Sequence, residues 1–182
     1  DESPTPSPTP APTPSPTPTP VTACQVCFSN YSAIDEAVLL YAAGTYESST
    51  YATVGCGDMP EWDVSCVTDM RFLFSYYDED GNGDRLDDAF VIPNISAWDV
   101  GNVVNMGQMF VGATEFNQDL STWDVSEVID MFGMFSEATA FNQDLSTWDV
   151  SEVIDMNGIF YDATAFNQEL SSWDVSRVTD MR

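Results

Sequence analysis

Apolar and polar positions along this chain keep a 25-residue beat. Trp62, Trp98, Trp123, Trp148 and Trp173 are the five tryptophans, and the last three intervals between them are 25 residues each, against 36 for the first. The unit running from Trp123 to Thr147 reads WDVSEVIDMFGMFSEATAFNQDLST, and its neighbours repeat it closely. Self-similarity at such a period marks stacked repeats, in which each unit covers the apolar side of the next. Leu145, Trp148, Val150 and Val153 fit the spacing L-x-x-L-x-L, which predicts a short parallel strand at x-Trp-x-Val. Met156, Ile159, Phe160, Ala163 and Phe166 would then turn inward on the return path, each above its equivalent about 4.8 Å away. Asn117, Asn142 and Asn167 recur in register and predict an amide ladder serving turn backbone groups. The expected fold is therefore a repeat solenoid over residues 62–182. It would be a leucine-rich-repeat-like right-handed coil with one short parallel β-strand in each of about 4.4 repeats.

Upstream, the beat is absent. Residues 21–61 read as an N-terminal cap with a helix over about 33–43: Ser32 is placed as N-cap, Asp35 lies in the first turn, and Ile34, Val38, Leu39 and Ala42 share a face. Gly44 stands where a helix-ending C′ residue belongs. Residues 1–20 form a Pro/Thr/Ser-rich tail with proline at every even position from Pro4 to Pro20. Proline fixes φ and extends its predecessor, so polyproline II is expected over residues 3–20, reaching roughly 56 Å at about 3.1 Å per residue. The alternation resembles hydroxyproline-rich and mucin-like stalks, which implies O-linked sugar at Thr5, Ser7, Thr9, Thr13, Ser15, Thr17 and Thr19. Asn30-Tyr-Ser32 and Asn94-Ile-Ser96 are N-glycosylation sequons.

Charge narrows the function classes. Thirty Asp plus Glu stand against 4 Arg, with no Lys or His, for a formal net charge of −26. Nucleic-acid binding requires a basic stripe that displaces counterions, and none exists here. An anionic membrane surface would repel the chain, and no apolar run reaches the roughly 20 residues of a span. Without histidine there is no Ser-His-Asp or Cys-His nucleophile and no His-ligated zinc. The chain begins at Asp1, which reads as a processed product. Cys24, Cys27, Cys56 and Cys66 predict two disulfides in an oxidising compartment, with the pairing left open.

Two acidic features carry candidate chemistry. An insertion at about 76–89 places Asp78, Asp80, Asn82 and Asp84 around Gly83 at calcium-loop spacing, with Asp88 available as a further ligand for Ca²⁺. Ala89 stands where an EF-hand has its bidentate Glu, and Arg85 where an aliphatic residue is usual. Asp63, Asp99, Asp124, Asp149 and Asp174 follow the tryptophans and predict a carboxylate ladder on the concave face. Carboxylates 5 Å apart repel by roughly 3 kcal/mol at an effective dielectric of 20, so the ladder needs hydroxyls, amides, cations or a partner. A carboxylate multiplied in every repeat speaks of architecture rather than one tuned catalytic pair, and no enzymatic activity is expected.

The motif WDVSxVTDMxxMFxxAxxFNQDLS, over about residues 31–182, resembles the BspA-type leucine-rich-repeat surface proteins. That resemblance implies an extracellular or cell-surface protein of adhesion or surface architecture. The Pro/Thr tail, the cysteines and the insertion depart from the pattern. The leading expectation is a structural subunit of a glycosylated surface filament or coat, a homopolymer assembled head-to-tail through the apolar edge Trp173, Val175, Val178 and Met181 with the tail laid on a neighbour. The alternative is a monomeric adhesin or ligand-binding array that recognises glycan or surface protein.

Overall fold

The computed structural model describes residue 28 and residues 30–46, 57–78, 85–86 and 89–182. The tail with its O-glycosylation candidates, Cys24, Cys27, Cys56, and Asp80, Asn82, Asp84 and Asp88 of the insertion lie outside those residues.

The first element, α1, spans Tyr31–Ala42. Its N-cap is Asn30, not Ser32: the Asn30 side-chain oxygen accepts from the Ala33 amide at 3.0 Å. Starting two residues earlier moves Asp35 out of the first turn, which contains no acid. The C-terminus ends as expected. Gly44 takes φ +66°, its amide donates to Tyr41 O at 3.0 Å, and the Thr45 amide donates to Leu40 O at 2.9 Å. These two bonds satisfy carbonyls the last helical turn would otherwise leave open. Ile34, Ala37 and Val38 are buried on the core side. A 3₁₀ turn at Met59–Glu61 then leads into Trp62.

From Trp62 onward the chain stacks in layers, but not in the way the L-x-x-L-x-L spacing predicted. Among the described residues there is no β-strand. A solenoid of strand-per-repeat type is therefore not formed, and the leucine-rich-repeat-like reading is corrected. The layers instead meet at isolated parallel bridges, Asp69 to Asn105, Asn105 to Asp130, Asp130 to Asp155 and Asp155 to Asp180. The contact also lies elsewhere in the repeat. At Trp98, where a strand was expected, the amide turns back to Ile95 O at 3.0 Å instead of reaching the next layer.

Local backbone chemistry explains the difference. From residue 104 to 112 alternate amides cross to a neighbouring layer: Met106 to Asp130 O, Gln108 to Phe132 O, Phe110 to Met134 O and Gly112 to Ser136 O, at 2.7–2.9 Å. Intervening and following amides close four-residue turns, Met109 to Met106 O and Ala113 to Phe110 O. Each of these turns has a left-handed third residue, Gln108 at φ +57° and Gly112 at φ +71°, and a turn residue of that sign interrupts extended geometry. Equivalent left-handed positions recur at Gly133, Glu137, Gly158 and Asp162. The layers thus share a backbone ladder while remaining chains of turns.

Inward-facing side chains form columns. Phe74, Phe110, Phe135 and Phe160 stack at centroid distances of 5.5–5.8 Å, and Phe116, Phe141 and Phe166 at 5.9–6.0 Å. Within a layer the two columns touch, as at Phe135 and Phe141, 4.1 Å apart. Met106, Met131, Val128 and Val153 are fully buried in the same core. Each tryptophan indole from Trp98 onward donates to a carbonyl of the preceding layer, Trp148 to Leu120 O at 3.0 Å for example. The asparagine ladder is present, though at the surface: Asn117 Oδ1 accepts from the Asn142 amide at 3.0 Å and Asn142 Oδ1 from the Asn167 amide at 2.9 Å.

One position tests the turn account. At Gly112 an added Cβ would sit 2.9 Å from Tyr77 Cε2 and 3.3 Å from Tyr76 Cβ, in a left-handed conformation. Gly112→Ala is expected to cost about 2 kcal/mol by urea denaturation, while Gln108→Gly, matching Gly133 and Gly158, should cost nothing or stabilise by up to ~1 kcal/mol.

Candidate recognition surface

The exposed side of positions 2 to 10 of each layer is built of rows. Asp63 is half-buried, and Asp99, Asp124, Asp149 and Asp174 are exposed. Each carboxylate folds onto its own turn. Asp124 Oδ1 accepts from the Ser126 amide at 3.1 Å and its hydroxyl at 2.7 Å, and Asp63 does the same with Ser65. Asp149 and Asp174 accept from the amides of Ser151 and Ser176 at 3.1 and 3.0 Å, and Asp99 from Gly101 at 3.3 Å. The repulsion expected along the ladder is therefore met first by hydroxyls and amides.

These bonds set the titration. The Ser126 hydroxyl and then its amide hold Asp124 below the usual carboxylate range, against an opposing push from Asp149. Ser151 acts likewise on Asp149, and Ser121 and Ser146 on Asp119 and Asp144. On Asp174 the Ser176 amide is the larger influence. Arg182 brings Asp180 down to about 2. Groups with a depressed folded-state pKa contribute stability that is present above the unfolded value of about 3.9 and lost as pH falls through the folded value. The melting temperature is accordingly expected to fall between about pH 4 and pH 2. The fall should be shallower in a Ser126→Ala/Ser151→Ala/Ser176→Ala variant, a difference that thermal scans across this range will show.

Between the acidic rows runs a feature the sequence reading did not single out. Val104, Ile129 and Ile154 are 38%, 42% and 38% exposed, whereas Val103, Val128 and Val153 beside them are fully buried. Their backbones are joined across layers, the Ile129 amide to Val104 O and the Ile154 amide to Ile129 O, both at 2.8 Å. Thr68 and Thr179 continue the row at its two ends. Phe132, 39% exposed, lies three residues beyond Ile129. On one flank stand Asn102, Glu127, Glu152 and Arg177, and on the other the bridge residues Asn105, Asp130, Asp155 and Asp180. The signal available in sequence was the apolar doublet in the three middle layers, Val103-Val104, Val128-Ile129 and Val153-Ile154: one member faces in, so the other must face out.

Other candidate residues fall apart from this surface. Cys66 is disulfide-bonded, with a partner outside the described residues. Asn30 is committed to capping α1. Asn94 is exposed and closes a turn, its Oδ1 accepting from the Ser96 amide at 3.1 Å and hydroxyl at 2.8 Å. Asp78 is the one member of the proposed calcium set among the described residues, and those residues contain no group of three or more acids or cysteines arranged for a metal. Arg85, read as an intruder in a calcium loop, is an anchor. Its guanidinium pairs with Asp35 of α1 and donates to Phe72 O and, at 2.9 Å, to Leu73 O. Trp173 and Val178 are half-buried at the last layer, and Val175 and Met181 are exposed. Further repeats or another copy would cover that edge equally well, so it does not by itself favour a polymer.

Fold and surface together define a stacked-repeat protein in which the outer face, like the core, is written in rows. The chain belongs to the family described as "Mycoplasma protein of unknown function, DUF285", whose model matches residues 84–182, more than half of its length. No curated protein and no solved structure matches the chain. No helix among the described residues is long and apolar enough to cross a membrane.

Proposed function

We propose that this chain is a surface-displayed recognition module of BspA-like type, without enzymatic activity, whose repeated row presents apolar side chains between carboxylates to a partner. The observation that carries this reading is the register of Val104, Ile129 and Ile154. They stay about two-fifths exposed in successive layers in which Val100, Val103, Val125, Val128, Val150 and Val153, on the same stretch, are buried. Exposed apolar side chains aligned in a continuous patch mark interaction sites, whereas scattered ones do not. The Cys66 disulfide supports an oxidising, extracellular location. The filament reading drew on the tail and on the chain's last edge; the first lies outside the described residues and the second is neutral.

Within this reading Asn94 carries N-linked sugar if the host glycosylates. In the following layers Asp119 and Asp144 close the same turn through Ser121 and Ser146 amides at 2.9 Å, so the turn does not itself require an amide side chain. An antibody against residues 98–182 tests the location. It should label intact, unpermeabilised cells, and protein recovered from them should show no free thiol by alkylation and mass spectrometry. Labelling only after permeabilisation, with four reduced cysteines, would overturn the reading.

A further inference from the structure

We infer that the row Val104–Ile129–Ile154 docks a cationic amphipathic helix, an inference that rests on the recognition reading above and names the chemistry of its partner. Three observations point there.

The first is which groups the acidic rows already accept. The chain has only four arginines, and three of them lie on this face at its two ends. Arg71 pairs with Asp69 at 3.3 Å beside Thr68. Arg177 pairs with Glu152, and Arg182 with Asp180 at 2.8 Å, beside Thr179. Where the row is polar, the chain supplies its own guanidinium groups. In the two layers where the row is apolar, those of Ile129 and Ile154, Glu152 is held by Arg177, and Glu127, Asp130 and Asp155 form no ion pair with any of the four arginines. The central stretch therefore pairs an exposed aliphatic ridge with three carboxylates, Glu127, Asp130 and Asp155, that none of the four arginines engages.

The second is spacing. Layers joined by parallel bridges lie about 4.8 Å apart, so the ridge from Val104 to Ile154 is about 9.6 Å long. Apolar residues at i, i+3 and i+7 of a helix span about 10.5 Å at 1.5 Å per residue. An extended strand places same-face residues about 6.8 Å apart, which would run out of register by the third layer. A helix laid along the ridge keeps its apolar stripe on the three aliphatics, and Lys or Arg on either side of the stripe reaches the flanking rows.

The third is charge. A second copy of this chain set ridge to ridge would oppose carboxylates to carboxylates in a molecule of net charge −26. An anionic lipid surface would meet the same repulsion. A cationic helix would be drawn in, with an association rate that falls as salt rises.

The test uses the full chain and an 18-residue Leu/Lys peptide with leucines at helical i, i+3, i+7 spacing. Its control is a scrambled peptide of the same composition, and both are followed by fluorescence anisotropy at physiological salt. The ordered peptide is expected to bind at least tenfold tighter than the scrambled one. An Ile129→Thr/Ile154→Thr variant, which places at the centre the residue native to both ends of the row, should reduce ordered-peptide binding to the scrambled level. Glu127→Gln should weaken binding and flatten its salt dependence. Two results would each overturn the inference: equal binding of the two peptides within twofold, which is charge attraction alone, or full affinity in the double Thr variant. Either result would reject a helical cationic partner while leaving the recognition reading to be judged by occupancy of the row on cells.

Discussion

Phe135→Ala is expected to lower the unfolding free energy by about 3–5 kcal/mol, the range for emptying a fully buried aromatic site. Phe135 is entirely buried and lies in both directions of the stack. It is 5.5 Å from Phe110 and 5.8 Å from Phe160 along its column, and touches Phe141 and Trp148 across its layer. A layer gains most of its stability from its neighbours, so a cavity here weakens two interfaces at once. The same substitution at Phe160, which is only half-buried in the last full layer, should cost less than half as much. Urea denaturation followed by tryptophan fluorescence distinguishes the two. Equal losses would mean that the columns do not carry the stack.

Arg85→Met should be nearly as damaging, at about 3 kcal/mol, because it removes the cation from a pair taken out of water. The Arg85 side chain is 9% exposed and that of Asp35 is 22%. Desolvation lowers the Arg85 pKa, yet guanidinium remains charged at any physiological pH. Losing it leaves the Asp35 carboxylate without that cation, and Phe72 and Leu73 carbonyls without those donors. The injury should be regional. Protection of α1 amides in hydrogen exchange should fall while amides of residues 123–160 keep theirs. Replacing both partners, Arg85→Met with Asp35→Leu, should recover much of the loss, since the stranded charge is then gone.

The parts of this molecule legible in its sequence are those written in period. Trp, Val, Met and Phe recur at fixed places, and each such column is found in the core. The end of α1 was legible because Gly44 supplies a conformation few residues adopt. Its start was not, because Asn30 and Ser32 are both good caps and only backbone geometry decides between them. The strands failed for a related reason. The L-x-x-L-x-L template matches Leu145, Trp148 and Val150, but inter-layer pairing falls at Asp155 and its equivalents. Among the turns that interrupt extension, two depend on left-handed Gln108 and Glu137, residue types that do not announce a positive φ. The acidic row was read for its charge. The aliphatic row between charges passed unnoticed because a Val-Ile doublet looks like core at both positions. Arg85 was weighed against a calcium-loop template, when its partners lie 50 residues earlier in α1 and 12–13 residues earlier in the first layer.

Whether that aliphatic row is a recognition surface can be measured where the protein works. Hydroxyl-radical footprinting of the full chain on intact cells, compared with the purified protein, reads side-chain exposure residue by residue. The account predicts that Ile129, Phe132 and Ile154 are shielded on cells while Val91 and Tyr161, exposed at 78% and 69% away from the row, react equally in both states. If Ile129 and Ile154 react as freely on cells as in solution, the row has no partner there and the proposed function is contradicted.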